Sequence, residues 1–233
     1  MSNEEKLNKD WLEIFYPMFK SKTIIPTFDY VHIILALFIF EQNPEGIGRY
    51  RLQKELAIGS GTAKSLITKL NKKINFISVL DDNIRKGHIL TEKGQKFLTK
   101  FKTKIPFIIL GEIKVLKDLI IEDENTNVCI CLVKNGAKNM SNGIAQRDAA
   151  IKVNGIGATC LMYDGTKFDF NLEYSTEEDK SQMKINERVQ EYFKELIKKE
   201  NSNLEANDVI ILGLGKTPEI SRLASLNAAL TLI

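Results

Sequence analysis

The chain has 233 residues, 43% hydrophobic and 27% charged, an ordinary soluble globular composition with room for two domains. Its longest apolar run, residues 30–40, is too short to span a bilayer, and the acidic, polar opening MSNEEKLNKDW lacks signal-peptide architecture, so no membrane role and a cytoplasmic location are expected. The net charge of +3 says nothing about nucleic acid by itself, but residues 44–104 hold 14 Lys and Arg against 5 Asp and Glu.

Residues 1–27 form an N-terminal extension opening on an amphipathic helix with Leu7, Trp11, Ile14, Phe15 and Met18 as apolar positions and Pro17 inside it. Residues 29–42 predict a helix that is apolar nearly all round and therefore buried on several sides, ended by Asn43-Pro44-Glu45-Gly46. His32 on that helix reads as a core or half-exposed histidine, not a ligand. Leu52, Leu56 and Ala57 make 51–58 amphipathic, and Gly59-Ser60-Gly61 supplies the sharp corner that two crossing helices need. After Ser60 as cap, a second helix buries Ala63, Leu66, Ile67 and Leu70. It turns Gly61, Lys64, Ser65, Thr68 and Lys72 outward, with Thr62 and Lys69 on the flanks. Short β-type runs at 76–80 and 88–90 flank a tip carrying Arg85 and Lys86. Thr91 caps a further helix through Glu92, Lys93, Gly94, Phe97, Leu98 and Phe101, closed by Pro106.

The run LQKELAIGSGTAKSLITKL followed by GHILTEKGQKFL resembles the winged helix-turn-helix regulators, especially uncharacterised archaeal two-domain members of that superfamily. The resemblance implies a DNA-binding domain over 28–105, double-stranded DNA as partner and a homodimer. In such proteins an added N-terminal helix often joins a dimer interface, a role Trp11 and Phe15 suit; packing onto the second domain is the other reading. A recognition helix in the major groove would present Thr62, Lys64, Ser65 and Thr68 to base edges. Arg49, Arg51, Lys69, Lys72, Arg85, Lys86 and His88 would lie on phosphates or, for the wing, in the minor groove. The recognition face is short of Arg, Asn and Gln, so much of the affinity is expected to be electrostatic.

Residues 107–121 are strongly apolar but of mixed period, compatible with strand, helix, or one followed by the other. Beyond them the pattern predicts a strand at 128–133, a helix at 144–153, and a hairpin of 157–163 with 167–172 around Asp164-Gly165. Ser175 and Glu178 read as a capping box opening a long amphipathic helix to Ile197. A strand at 209–212 then leads through GLGKT to a helix started by Thr217 and Pro218. The fold class expected is α+β: the winged helix-turn-helix followed, over 106–233, by a two-layer α/β sandwich with a mainly antiparallel sheet. The segments NVCICLVK…GIAQRDAAI and DVIILGLGK…EISRLASLNAAL echo each other faintly, placing Arg147 and Arg222 alike near helix N-termini.

Two places suit an anionic small molecule. Gly213, Gly215, Lys216 and Thr217, with Arg222, combine a glycine loop, a helix N-terminus and positive charge. This is no nucleotide-binding P-loop, because Ile210 stands where that motif needs glycine. Asn142, Gly143, Arg147 and Asp148 are the second candidate, against which an Arg147–Asp148 structural ion pair is the plain alternative. Cys129 and Cys131 fall on one face of a strand as small buried hydrophobes, and with Cys160 they make an odd count without a disulfide framework. No metal and no cofactor are expected, and no catalytic constellation stands out. The leading expectation is a DNA-binding transcriptional regulator whose C-terminal domain senses a ligand or mediates assembly. The alternatives are an enzyme carrying an accessory winged helix, and an RNA-binding protein.

Overall fold

The computed structural model describes residues 10–20, 26–79, 87–120, 125–170 and 184–233. The chain divides into two compact units, Met1–Phe101 and Lys102–Ile233. Among the described residues it is an α+β protein of nine α-helices, one two-stranded sheet and one five-stranded antiparallel sheet.

The first unit runs α1 (Asp10–Phe19), α2 (Tyr30–Glu41), α3 (Arg49–Glu55), α4 (Ser60–Lys72), β1 (Ile77–Val79), β2 (His88–Leu90) and α5 (Glu92–Lys102). Apolar on every side, α2 buries all of Val31 and Ile33 to Phe40. Asp29 caps it, and the His32 ring closes the box by accepting from the Asp29 amide at 3.0 Å. Gly59, not Ser60, occupies the cap position of α4, whose buried stripe is Ala63, Leu66, Ile67 and Leu70. β1 and β2 pair antiparallel, and Ile47 extends the pair by a bridge to His88 through two 3.0 Å backbone hydrogen bonds. Thr91 caps α5, its hydroxyl accepting from the Gly94 amide. A Cβ at Gly94 would stand 2.2 Å from the Phe76 carbonyl, so glycine lets α5 lie directly against β1. Trp11 and Phe15 pack inside this unit: Phe15 is fully buried against Phe76 and Phe97, and Trp11 meets Tyr30 and Phe101 edge-on. Of the apolar positions of α1, Phe15 and Met18 are thus buried in the unit's own core, while Trp11 is half-buried and Ile14 exposed.

In the second unit, residues 108–119 resolve as a strand followed by a helix: β3 (Ile108–Leu110), then α6 (Ile113–Leu116) and a 3-10 turn (Lys117–Leu119). There follow β4 (Asn127–Val133), α7 (Ile144–Lys152), β5 (Gly157–Tyr163), β6 (Phe168–Asp169), α8 (Glu187–Lys199), β7 (Val209–Gly215) and α9 (Pro218–Ala229). The strand order is β3-β4-β7-β5-β6, every neighbour antiparallel. Val128, Ile130, Leu132, Ile210, Leu212 and Leu214 share one core with Val189, Phe193 and Ile197 of α8. The alternate residues face α9 and α7, where the Ser225 hydroxyl reaches the Ile211 carbonyl at 3.1 Å. The sheet is therefore covered on both faces, which corrects the two-layer expectation to three layers. The reason is in β4 and β7: apolar without alternation, they need cover on both sides.

The Asp164 carboxylate holds the β5–β6 turn by accepting from the Thr166 and Lys167 amides, and Gly165 takes φ +105°. Edge strand β6 is stapled by Gln190, whose amide group both accepts from Phe168 N at 2.7 Å and donates to Phe168 O at 2.6 Å. The expected capping box at Ser175 and Glu178 lies outside the described residues. α8 starts at Glu187, where Asn186 accepts from the Val189 amide. β4 and β7 of the echoed segments are antiparallel neighbours, and α7 and α9 lie together on one face.

Candidate functional site

The outward stripe of α4 holds Gly61, Lys64, Thr68 and Lys72, all exposed, with Ser65 half-buried beside them. The helix contains no acidic residue, and its last turn adds Lys69 and Lys72 to its charge. Gly61 has open space where a Cβ would go, so internal packing does not require a glycine there. On α3, Arg51 is exposed and Arg49 donates to the Tyr50 hydroxyl at 3.1 Å, its guanidinium 4.8 Å from the ring centroid. Tyr50 is 74% exposed. It escaped sequence reasoning; the signal was an aromatic between two arginines, off the Leu52–Leu56 face.

Several of the expected contact residues, Thr68 of the outward stripe among them, also make internal hydrogen bonds. The Thr62 hydroxyl lies 2.6 Å from that of Thr27. Thr68 donates back to the Lys64 carbonyl at 2.8 Å. The Lys69 ammonium donates to the Met18 carbonyl and lies 5.6 Å from the Phe28 ring centroid, and burial, with Lys73 nearby, lowers its pKa. One flank of α4 is thus tied to the segment around α1 and α2, leaving the stripe from Gly61 to Lys72 as its open face. Arg85 and Lys86 lie outside the described residues.

His88 turns inward. Its Nδ1 is buried with no hydrogen-bond partner among the described residues, and burial lowers its pKa from the ordinary 6.5. Burial lowers that of His32 too, against the opposing pull of Asp29. Both folded rings favour the neutral form, so the unfolded chain binds more protons once pH drops below 6.5. The N-terminal unit is therefore expected to keep its full stability above that pH and lose it on acidification towards the lowered values. Thermal melts between about pH 7.5 and pH 5 check this, and His88→Phe should flatten part of the slope.

In the second unit, Asn142, Gly143 and Arg147 come together around a cavity of about 270 Å³, completed by Met140, Ile144, Ala158, Thr159, Cys160 and Phe170. Arg147 is held by its neighbour: Nε and Nη2 donate to the Asp148 carboxylate at 3.1 and 2.9 Å. Asn142 accepts from the Ile144 amide at 3.2 Å, an ordinary turn bond. The other candidate loop is built differently. A Cβ on Gly213 would stand 2.1 Å from Ser225 N, and one on Gly215 would stand 2.5 Å from Ser221 N. These glycines let α9 lie on β7, and Thr217 caps that helix by accepting from the Ile220 amide. Lys216 is exposed, and Arg222 is half-buried with its charge acting on the Cys129 thiol.

Burial raises the Cys129 thiol well above its ordinary range and pushes Cys131 and Cys160 up to about 12, which leaves no reactive thiolate at neutral pH. Among the described residues no three His, Cys, Asp or Glu side chains are placed to hold a metal ion. Nor is any described helix long and apolar enough to cross a membrane.

A family described as "Domain of unknown function (DUF4443)" matches residues 124–232, which span β4 to the end of α9. No curated protein matches the chain. Among solved structures the chain is similar to "Hypothetical protein PH0730 from Pyrococcus horikoshii OT3", at 22% identity and a TM-score of 0.60, covering 88% of this chain and 93% of that one. Most of the chain thus shares the fold of a hypothetical archaeal protein, and its second unit carries the sequence pattern of a domain whose function is unassigned.

Proposed function

We propose that residues 28–105 form a winged helix-turn-helix that binds double-stranded DNA, in a transcriptional regulator whose C-terminal unit mediates assembly or senses an anionic small molecule. The order α2, the bridging Ile47, α3, α4, the β1–β2 pair and α5 supports a winged helix, with α4 in the place of the recognition helix. The observation that carries the reading is the open face of α4. Lys64 and Lys72 stand exposed along it without an acidic neighbour on the helix, and Gly61 leaves the backbone accessible at its start.

On this reading both ammonium groups displace counterions, Lys72 on a phosphate and Lys64 from within the groove, where its charge also acts on the flanking phosphates. Lys64→Ala and Lys72→Ala should each reduce the slope of log affinity against log salt by about 1 unit. A slope unchanged in both variants would remove α4 from the interface. One observation favours a second reading, single-stranded nucleic acid: Tyr50 with Arg49 stacked on it forms a platform on which an unpaired base could lie. Competition between duplex and single-stranded oligonucleotides separates the two, and Tyr50→Ala weakens only the second.

A further inference from the structure

The cavity beside α7 has walls of two kinds. Met140, Ile144, Ala158, Cys160 and Phe170 supply apolar surface, Cys160 as a neutral thiol. Asn142 and Arg147 supply hydrogen-bond donors, and among the described residues the lining includes no acidic side chain. The Thr159 hydroxyl is spent elsewhere, donating to the Leu119 carbonyl at 3.0 Å. The Arg147 stem lies over the start of β5, where a Cβ on Gly157 would stand 3.8 Å from Arg147 Cγ. Of the N–H groups of its guanidinium, one on Nε and one on Nη2 go to the same oxygen, Asp148 Oδ1. Among the described residues the remaining ones, on Nη1 and Nη2, have no partner, and together they form the end-on fork that matches a carboxylate. Asn142 uses its Oδ1 on the Ile144 amide at 3.2 Å and keeps Nδ2 as a donor.

Size and charge then narrow the ligand. A volume of about 270 Å³ holds on the order of ten non-hydrogen atoms at about 30 Å³ each. Asp148 stands beside the open fork, so a dianion meets a fixed negative charge there and a monoanion meets less repulsion. The apolar wall in turn favours an acid with a hydrocarbon body over a bare inorganic anion. We infer that this cavity is the ligand site of the second unit and takes a small monocarboxylic acid with an apolar body. Its carboxylate lies on the open fork of Arg147, and its body lies against Met140, Ile144 and Phe170. The inference rests on the reading of this unit as a sensor of an anionic small molecule, and it names the site and the chemical class.

The test is calorimetric titration of the full chain with benzoate, hexanoate, hexanol and inorganic phosphate, each into the millimolar range. At least one of the two acids should saturate a single site, while hexanol and phosphate should not reach saturation. Arg147→Gln should raise the dissociation constant of that acid by about tenfold or more. Arg147→Lys keeps the charge without the fork and should recover only part of the loss. Asp148→Asn frees the guanidinium and removes the neighbouring negative charge, so it should tighten binding several-fold. Both side chains are exposed, so melting temperatures should stay together, and a folding defect cannot imitate opposite effects of the two variants. Wild type that saturates with neither acid, or Arg147→Gln that binds as tightly as wild type, would overturn the inference. Saturable phosphate binding with neither acid bound would overturn it as well, yet leave an anion sensor standing. Acid binding that leaves retention of duplex DNA unchanged would instead sink the sensor reading, while the carboxylate site stands.

Discussion

Replacing Gly213 by alanine is expected to destabilise the second unit by about 3 kcal/mol, roughly 6–12 °C in melting temperature. The added methyl would stand 2.1 Å from Ser225 N, 2.4 Å from its Cα and 2.6 Å from its Cβ. Two of those atoms are helix backbone, so no rotamer change relieves the overlap and α9 must lift off β7. The substitution also separates two roles for the GLGKT loop. If the glycines served only a ligand, Gly213→Ala would fold normally. If they serve the helix–sheet approach, it is destabilised and Ser225→Gly does not rescue it, since the closest atom is main chain. Melts of the two single variants and the double variant decide.

Asp208→Ala should cost about 3–5 kcal/mol, the range for leaving a buried charge without its partner. The side chain is 1% exposed and its carboxylate is fully used. Oδ1 accepts from the Asn135 amide at 2.8 Å, while Oδ2 accepts from the Glu205 amide at 2.9 Å and pairs with the Lys134 ammonium. One carboxylate thus ties the end of β4 to the start of β7, where the chain also turns through left-handed Asn135 and Asn207. Removing it strands two amides and the half-buried Lys134. The double variant with Lys134→Met should recover part of the loss, because the orphaned charge is gone. A single Asp208→Ala variant melting within about 1 °C of wild type would refute this assignment.

What could be read from the sequence was local chemistry. The Asp164-Gly165 turn, the Thr217-Pro218 helix start and the all-round apolar α2 each follow from a few adjacent residues, and each stands where the pattern put it. What could not be read depended on contacts far along the chain. Lys69 looked like a phosphate contact because its helix position is a flank, and only the Met18 carbonyl and the Phe28 ring divert it. His88 looked like a wing residue, yet its ring is drawn inward beside the Ile47 bridge. Residues 108–119 were ambiguous because a three-residue strand and a four-residue helix are too short to show a period.

The glycine loop was misleading for an instructive reason. Gly213 and Gly215, two apart on a strand, face the same side. Ser221, Ala224, Ser225 and Ala228 form a matching stripe of small residues on α9, all buried. Together those two patterns spell close helix–sheet packing, although each alone resembles an anion-binding turn. The second candidate was better placed: Asn142, Gly143 and Arg147 do converge on one cavity, although Nε and Nη2 of Arg147 already donate to Asp148.

The most direct test of the central claim is retention of randomised duplex DNA by the full-length chain at low and high salt, with the retained duplexes sequenced. A winged-helix regulator retains duplex at low salt and loses it steeply as salt rises, enriches a two-fold symmetric site, and shows a reduced salt slope in the Lys64→Ala variant. No retention even at low salt would contradict it.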